Sequence, residues 1–106
     1  MSYRKEFPDF NLDVIIPEGF SDSSWKNDIC PSWINMEHNI KLFIEYLEPE
    51  KREQEEMDRF YLVWYSNVYC DPDTGDKDFE PGSGDIELST ESYTEVLETI
   101  DKWIKF

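Results

Sequence analysis

Positive charge is what this sequence has least of. Ten Lys and Arg stand against 25 Asp and Glu in 106 residues, giving a net charge of −15 and a pI near 4.2. Such a field repels nucleic acid and anionic membrane and attracts basic partners. Solubility alone asks for a net charge of only about 2–8 in a small domain, so a functional reading of the acidity stands beside the simpler one of solubility. Glycine (four) and proline (six) are sparse, which argues against a low-complexity or disordered chain. There is a single histidine, His38, and that excludes a histidine-rich metal site. No run approaches the ~20 apolar residues of a membrane-spanning helix, and the N-terminus lacks the apolar core of a signal peptide.

The cysteines, Cys30 and Cys70, form no C-x-x-C. They signal neither zinc nor a redox pair, and are expected as two buried free thiols in a reducing cytoplasm. Catalytic equipment is equally thin, with no phosphate-cradling glycine loop, no G-x-S-x-G and no H-E-x-x-H. His38 falls in a predicted turn with no nucleophile nominated beside it. The expectation is a protein that is not an enzyme and carries no cofactor.

Aromatic side chains are plentiful: seven Phe, six Tyr and four Trp. One domain spanning residues 1–106 can build its core from them. The uncharged stretch Phe60–Tyr69 predicts a central strand wanting cover on both faces. Ser32–Met36 and Ile40–Leu47 predict a hairpin across Glu37-His38-Asn39, with Asn39 able to take positive φ. Leu12, Val14 and Ile16 predict a short strand stopped by Pro17. Asp71-Pro72-Asp73-Thr74-Gly75-Asp76 predicts a tight turn returning through Phe79, and Ile86 and Leu88 predict a last short strand.

Residues 90–106 predict an amphipathic helix. Tyr93, Val96, Leu97, Ile100, Trp103 and Ile104 share one arc, and Ser92-x-x-Glu95 fits a capping box. Residues 1–10 are expected as a loosely packed arm, and 48–58 as an exposed acidic connection without an apolar stripe. The fold class follows: α+β, a mostly antiparallel sheet of about four to six strands with the C-terminal helix on one face. Phe60, Leu62 and Trp64 are expected to join Ile40, Leu42 and Ile44 under that helix, and on the other face Tyr61, Val63 and Tyr65 are expected to join Lys41, Phe43 and Glu45 beneath the Phe20–Trp25 loop.

The acids cluster. Residues 45–58 hold seven acids and two bases, and 71–91 hold eight acids and one base. Asp71, Asp73, Asp76 and Asp78 make a weak calcium candidate, but the EF-hand pattern fails because Gly75 falls at loop position 5 and Gly82 at position 12. A contiguous negative surface with aromatic anchors suits a basic protein partner. The candidate contacts are Trp25, Tyr61, Tyr65, Asp71, Asp73, Asp76, Asp78, Glu91, Glu95 and Glu98. In size and charge the chain resembles small acidic inhibitors, among them DNA-mimic and immunity proteins, a likeness of composition without a motif. Two alternatives stand beside this. One is a ligand-binding or enzymatic domain with a pocket between the sheet and residues 17–31; the other is a structural accessory subunit, as monomer or homodimer.

Overall fold

A computed structural model describes residues 3–24, 30–52, 54, 56–70, 72–73, 75, 77–79 and 83–104. In chain order these form α1 (Tyr3–Glu6), β1 (Ser21–Asp22), β2 (Ser32–Asn35), β3 (Ile40–Ile44), β4 (Phe60–Tyr65), β5 (Val68–Cys70), β6 (Lys77–Phe79), β7 (Gly84–Thr90) and α2 (Tyr93–Ile104). Five strands make one antiparallel sheet in the order β1-β2-β3-β4-β7, and β5 and β6 form a separate hairpin. With α2 packed against the sheet, the chain has the expected α+β class. No helix among the described residues is long and apolar enough to cross a membrane.

The β2–β3 hairpin turns where the sequence places it, with Asn39 at φ 58°. Register puts Trp33, Leu42, Leu62 and Leu88 in line across the sheet, and Ile44 opposite Phe60. These side chains line the core face, where Leu42, Ile44 and Leu62 are fully buried. The helix is capped by Ser92, whose Oγ accepts the Glu95 N–H at 3.4 Å. It buries Val96 and Ile100, and sets Tyr93 against Phe60 with ring centroids 5.1 Å apart. Leu97 does not join this stripe. It is 42% exposed, because among the described side chains the buried arc runs through positions 93, 96, 100 and 103.

Four other expectations are corrected. The uncharged stretch is not one strand: β4 ends at Tyr65, and the chain turns at Ser66 and Asn67, whose N–H groups donate to Ser83 O and Ser83 Oγ. Serine and asparagine favour such side-chain-bonded turns over a pleated ladder. Leu12–Ile16 forms no strand, although its alternation survives: Leu12, Val14 and Ile16 pack on the core while Ile15 is 88% exposed. Side chains hold it rather than a ladder, and Tyr93 Oη donates to Ile15 O at 2.7 Å.

Residues 3–10 are not a loose arm. Phe7 and Phe10 are buried, Tyr3 meets Trp33 at 5.5 Å and Phe10 meets Tyr46 at 5.2 Å. One sheet face is thus shared, with the N-terminal segment over β2 and β3 and α2 over β4 and β7. Fourth, Phe20 packs on this same core, so it does not cover the opposite face. That cover comes in part from the β5–β6 hairpin, whose Phe79 stacks on Tyr65 at 4.6 Å. Gly84 makes room, since a Cβ there would fall 2.6 Å from the Tyr65 ring. Trp25 lies outside the described residues.

Leu62→Ala should lower unfolding free energy by about 2–5 kcal/mol in urea denaturation, through lost burial and the cavity left behind. Leu97→Ala in the same assay should cost under about 1 kcal/mol, as its exposure requires.

Candidate functional site: an acidic surface and a tryptophan groove

Two arginines are spent inside the fold. Arg52 follows a single 3-10 turn at Pro49–Lys51, and its side chain is 3% exposed. Its guanidinium donates to Tyr46 O (2.7 Å), Met57 O (2.7 Å), Leu47 O (3.2 Å), Glu91 Oε2 (2.8 Å) and Glu91 Oε1 (3.2 Å). A guanidinium has five N–H donors, and each has an acceptor here. The acidic connection is therefore held by a buried cation, which an apolar-stripe criterion does not detect. Arg59 is likewise buried: it donates to Glu45 O at 3.3 Å and to both oxygens of Asp13, and lies 4.9 Å over the Phe60 ring. Its hydrogen bond and charge hold the Asp13 carboxyl below the ordinary value of 3.8.

These pairings sort the candidate residues. Glu91 works within the fold, accepting from Arg52 and from the Arg59 N–H at 2.6 Å. Glu45, expected on the half-apolar face, is fully buried beside Arg59. Tyr61 is half-buried and its Oη accepts the Asp58 N–H at 3.1 Å; Tyr65 lies under Phe79. Glu95 and Glu98 are exposed on α2, and Asp73 is exposed in the turn. Asp71 and Asp76 lie outside the described residues, as does the side chain of Asp78, so the calcium candidate falls largely outside them too.

What remains outside is acidic. On the neighbouring β7 and α2, Asp85, Glu87, Glu95, Glu98 and Asp101 are exposed, with Lys102 as the accompanying exposed base. Beside them opens a groove of about 610 Å³ lined by His38, Ile40, Trp64, Glu87, Lys102 and Trp103. It lies at the end of the helix–sheet sandwich. Trp64 occupies the core face at the last full register of β3 and β4, opposite Ile40, yet it is 42% exposed. The sequence assigns Trp64 and Trp103 to the core, and nothing in their spacing shows that the sandwich opens where they meet. His38 enters through the β2–β3 turn, its N–H bonded to Asn35 Oδ1 at 3.1 Å. Glu87 is the extra residue of a bulge, since Leu62 faces Leu88 but Val63 faces Ile86.

Comparison with known proteins identifies no relative: no family model, no curated protein and no solved structure matches the chain.

Arg52→Leu should lower stability by at least about 2 kcal/mol in urea denaturation, because Glu91 and three carbonyls lose a charged donor, whereas Glu95→Gln should stay within about 0.5 kcal/mol. A lowered carboxyl pKa contributes stability above the unfolded value that is lost as pH falls through the folded one. Asp13→Asn should accordingly be less stable than the unaltered protein at about pH 5 to 7, the difference shrinking below pH 3.8. Parallel denaturation curves across that range measure it.

Proposed function

We propose that the chain is a non-enzymatic acidic binding protein that occupies a basic site on a partner protein, as an inhibitor, an immunity-type protein or a mimic of nucleic-acid phosphates. One observation carries the reading. Arg52 and Arg59 are buried and paired internally, while five exposed carboxylates sit on adjoining β7 and α2. Arg52 and Arg59 are thereby spent inside the fold, while these carboxylates stay outside. Carboxylates of this kind steer a basic partner and set its orientation, and exposed aromatic surface supplies anchoring. Trp64, beside Glu87 and opposite Asp85 in register, is such an anchor. A cytoplasmic location fits two cysteines outside any disulfide, Cys30 buried as expected and Cys70, contrary to expectation, exposed next to the β5–β6 turn.

The reading as a binder rather than an enzyme rests on the absence of a nucleophile motif and on a single histidine.

Immobilised protein should capture a basic protein from a host lysate, with retention falling steeply as salt rises. Neutralising Asp85, Glu87, Glu95 and Glu98 together should abolish capture, chiefly by slowing association. Undiminished capture by that variant would refute the proposal.

A further inference from the structure

The groove between β7 and the end of α2 carries more than an anchoring role. We infer that it binds a small zwitterion with a flat aromatic body, of the aromatic α-amino acid class. This site needs no macromolecular partner, and it stands or falls independently of the acidic-surface reading.

The charges on its walls are the first reason. Glu87 from the bulge of β7 and Lys102 from the last turn of α2 line the same groove. The ion pairs among the described residues are Arg52–Glu91 and Arg59–Asp13; Glu87 and Lys102 pair neither with each other nor with any other described residue. Opposite charges held on one groove without closing on each other leave room for a ligand carrying both complements. The ligand ammonium goes to Glu87 and its carboxylate to Lys102. The bulge matters here, because an extra residue re-aims a side chain that a regular ladder would direct elsewhere.

The floor is the second reason. Ile40, Trp64 and Trp103 give an apolar and aromatic surface, and His38 adds a polar ring at the rim. Trp64 stays 42% exposed although Leu62 and Ile40 beside it on the same face are buried, and indoles take flat rings by offset stacking or edge contact. The volume of about 610 Å³ falls within the roughly 300–1,000 Å³ typical of small-molecule sites.

Charge also selects against the simpler ligands. An anion alone meets the −15 field of the protein, and a cation alone leaves Lys102 unanswered.

The test is an NMR titration of the full chain in about 0.15 M salt, where the Debye length is about 8 Å and non-specific cation attraction is damped. The probes are L-tryptophan, tryptamine (ammonium only) and indole-3-propionate (carboxylate only). The four tryptophans supply separate indole N–H signals, and buried Trp33 serves as the internal reference. L-Tryptophan should shift the Trp64 and Trp103 signals saturably and bind about two- to fivefold tighter than either analogue, the worth of one exposed ion pair. Glu87→Gln should reduce L-tryptophan to the level of indole-3-propionate, and Lys102→Gln to the level of tryptamine. Both positions are exposed, so the variants keep the fold. Absence of a saturable shift, or tryptamine binding as tightly as L-tryptophan, overturns the inference. A result of either kind leaves the capture experiment unaffected, so the two readings fail separately.

Discussion

A buried guanidinium organises one whole side of this protein. Arg52 brings Tyr46, Leu47 and Met57 carbonyls and the Glu91 carboxylate to one point. It thereby ties the end of β3, the acidic connection and the entry to α2 together. Glu91 in turn accepts the Arg59 N–H at the start of β4, and Arg59 reaches back to Asp13 and Glu45. A cation removed from water is costly unless its donors are satisfied. Here the satisfying acceptors come from segments that have no apolar face of their own, so meeting the cation is what gives those segments a place.

The same arrangement shapes the surface. A chain so rich in carboxylates repels itself when compact, and the fold answers this by placing two of its few cations where they are desolvated and most strongly felt. The consequence is an outer β7–α2 region in which acids dominate. It also explains how the N-terminal segment holds its position without strand pairing. Asp13 is gripped by Arg59, Ile15 O by Tyr93, and Phe7 and Phe10 enter the core. Tyr93 is itself half-buried, and desolvation pushes its phenol up to about 12, which keeps its O–H a donor across the physiological range.

At the far end of the sandwich the packing runs out. Trp103 of α2 meets Ile40 of β3 and Trp64 of β4 at an aromatic-lined groove rather than in a closed core. The bulge in β7 then brings Glu87 to its edge. Acidic surface and groove are therefore neighbours for one reason: both lie where the helix and the last strand meet solvent.

Local patterning was enough for the α+β class, the 32–44 hairpin, the capped C-terminal helix and the turn returning through Phe79. Each of these rests on periodicity or turn chemistry that neighbouring residues express without help. The tertiary structure alone decided the rest. The alternation at Leu12–Ile16 looked like a strand because one buried face gives a period of two whether or not a ladder forms. Glu91 looked like a surface acid, and Arg52 like part of a solvated connection, because pairing across 39 residues leaves no mark on local sequence. Trp64 and Trp103 read as core for the same reason, since only the way helix and sheet sit against one another leaves them at an opening. Sequence by itself determined which segments are apolar, polar or capped; which charges are buried, and where the core stops, depended on contacts between segments far apart in the chain.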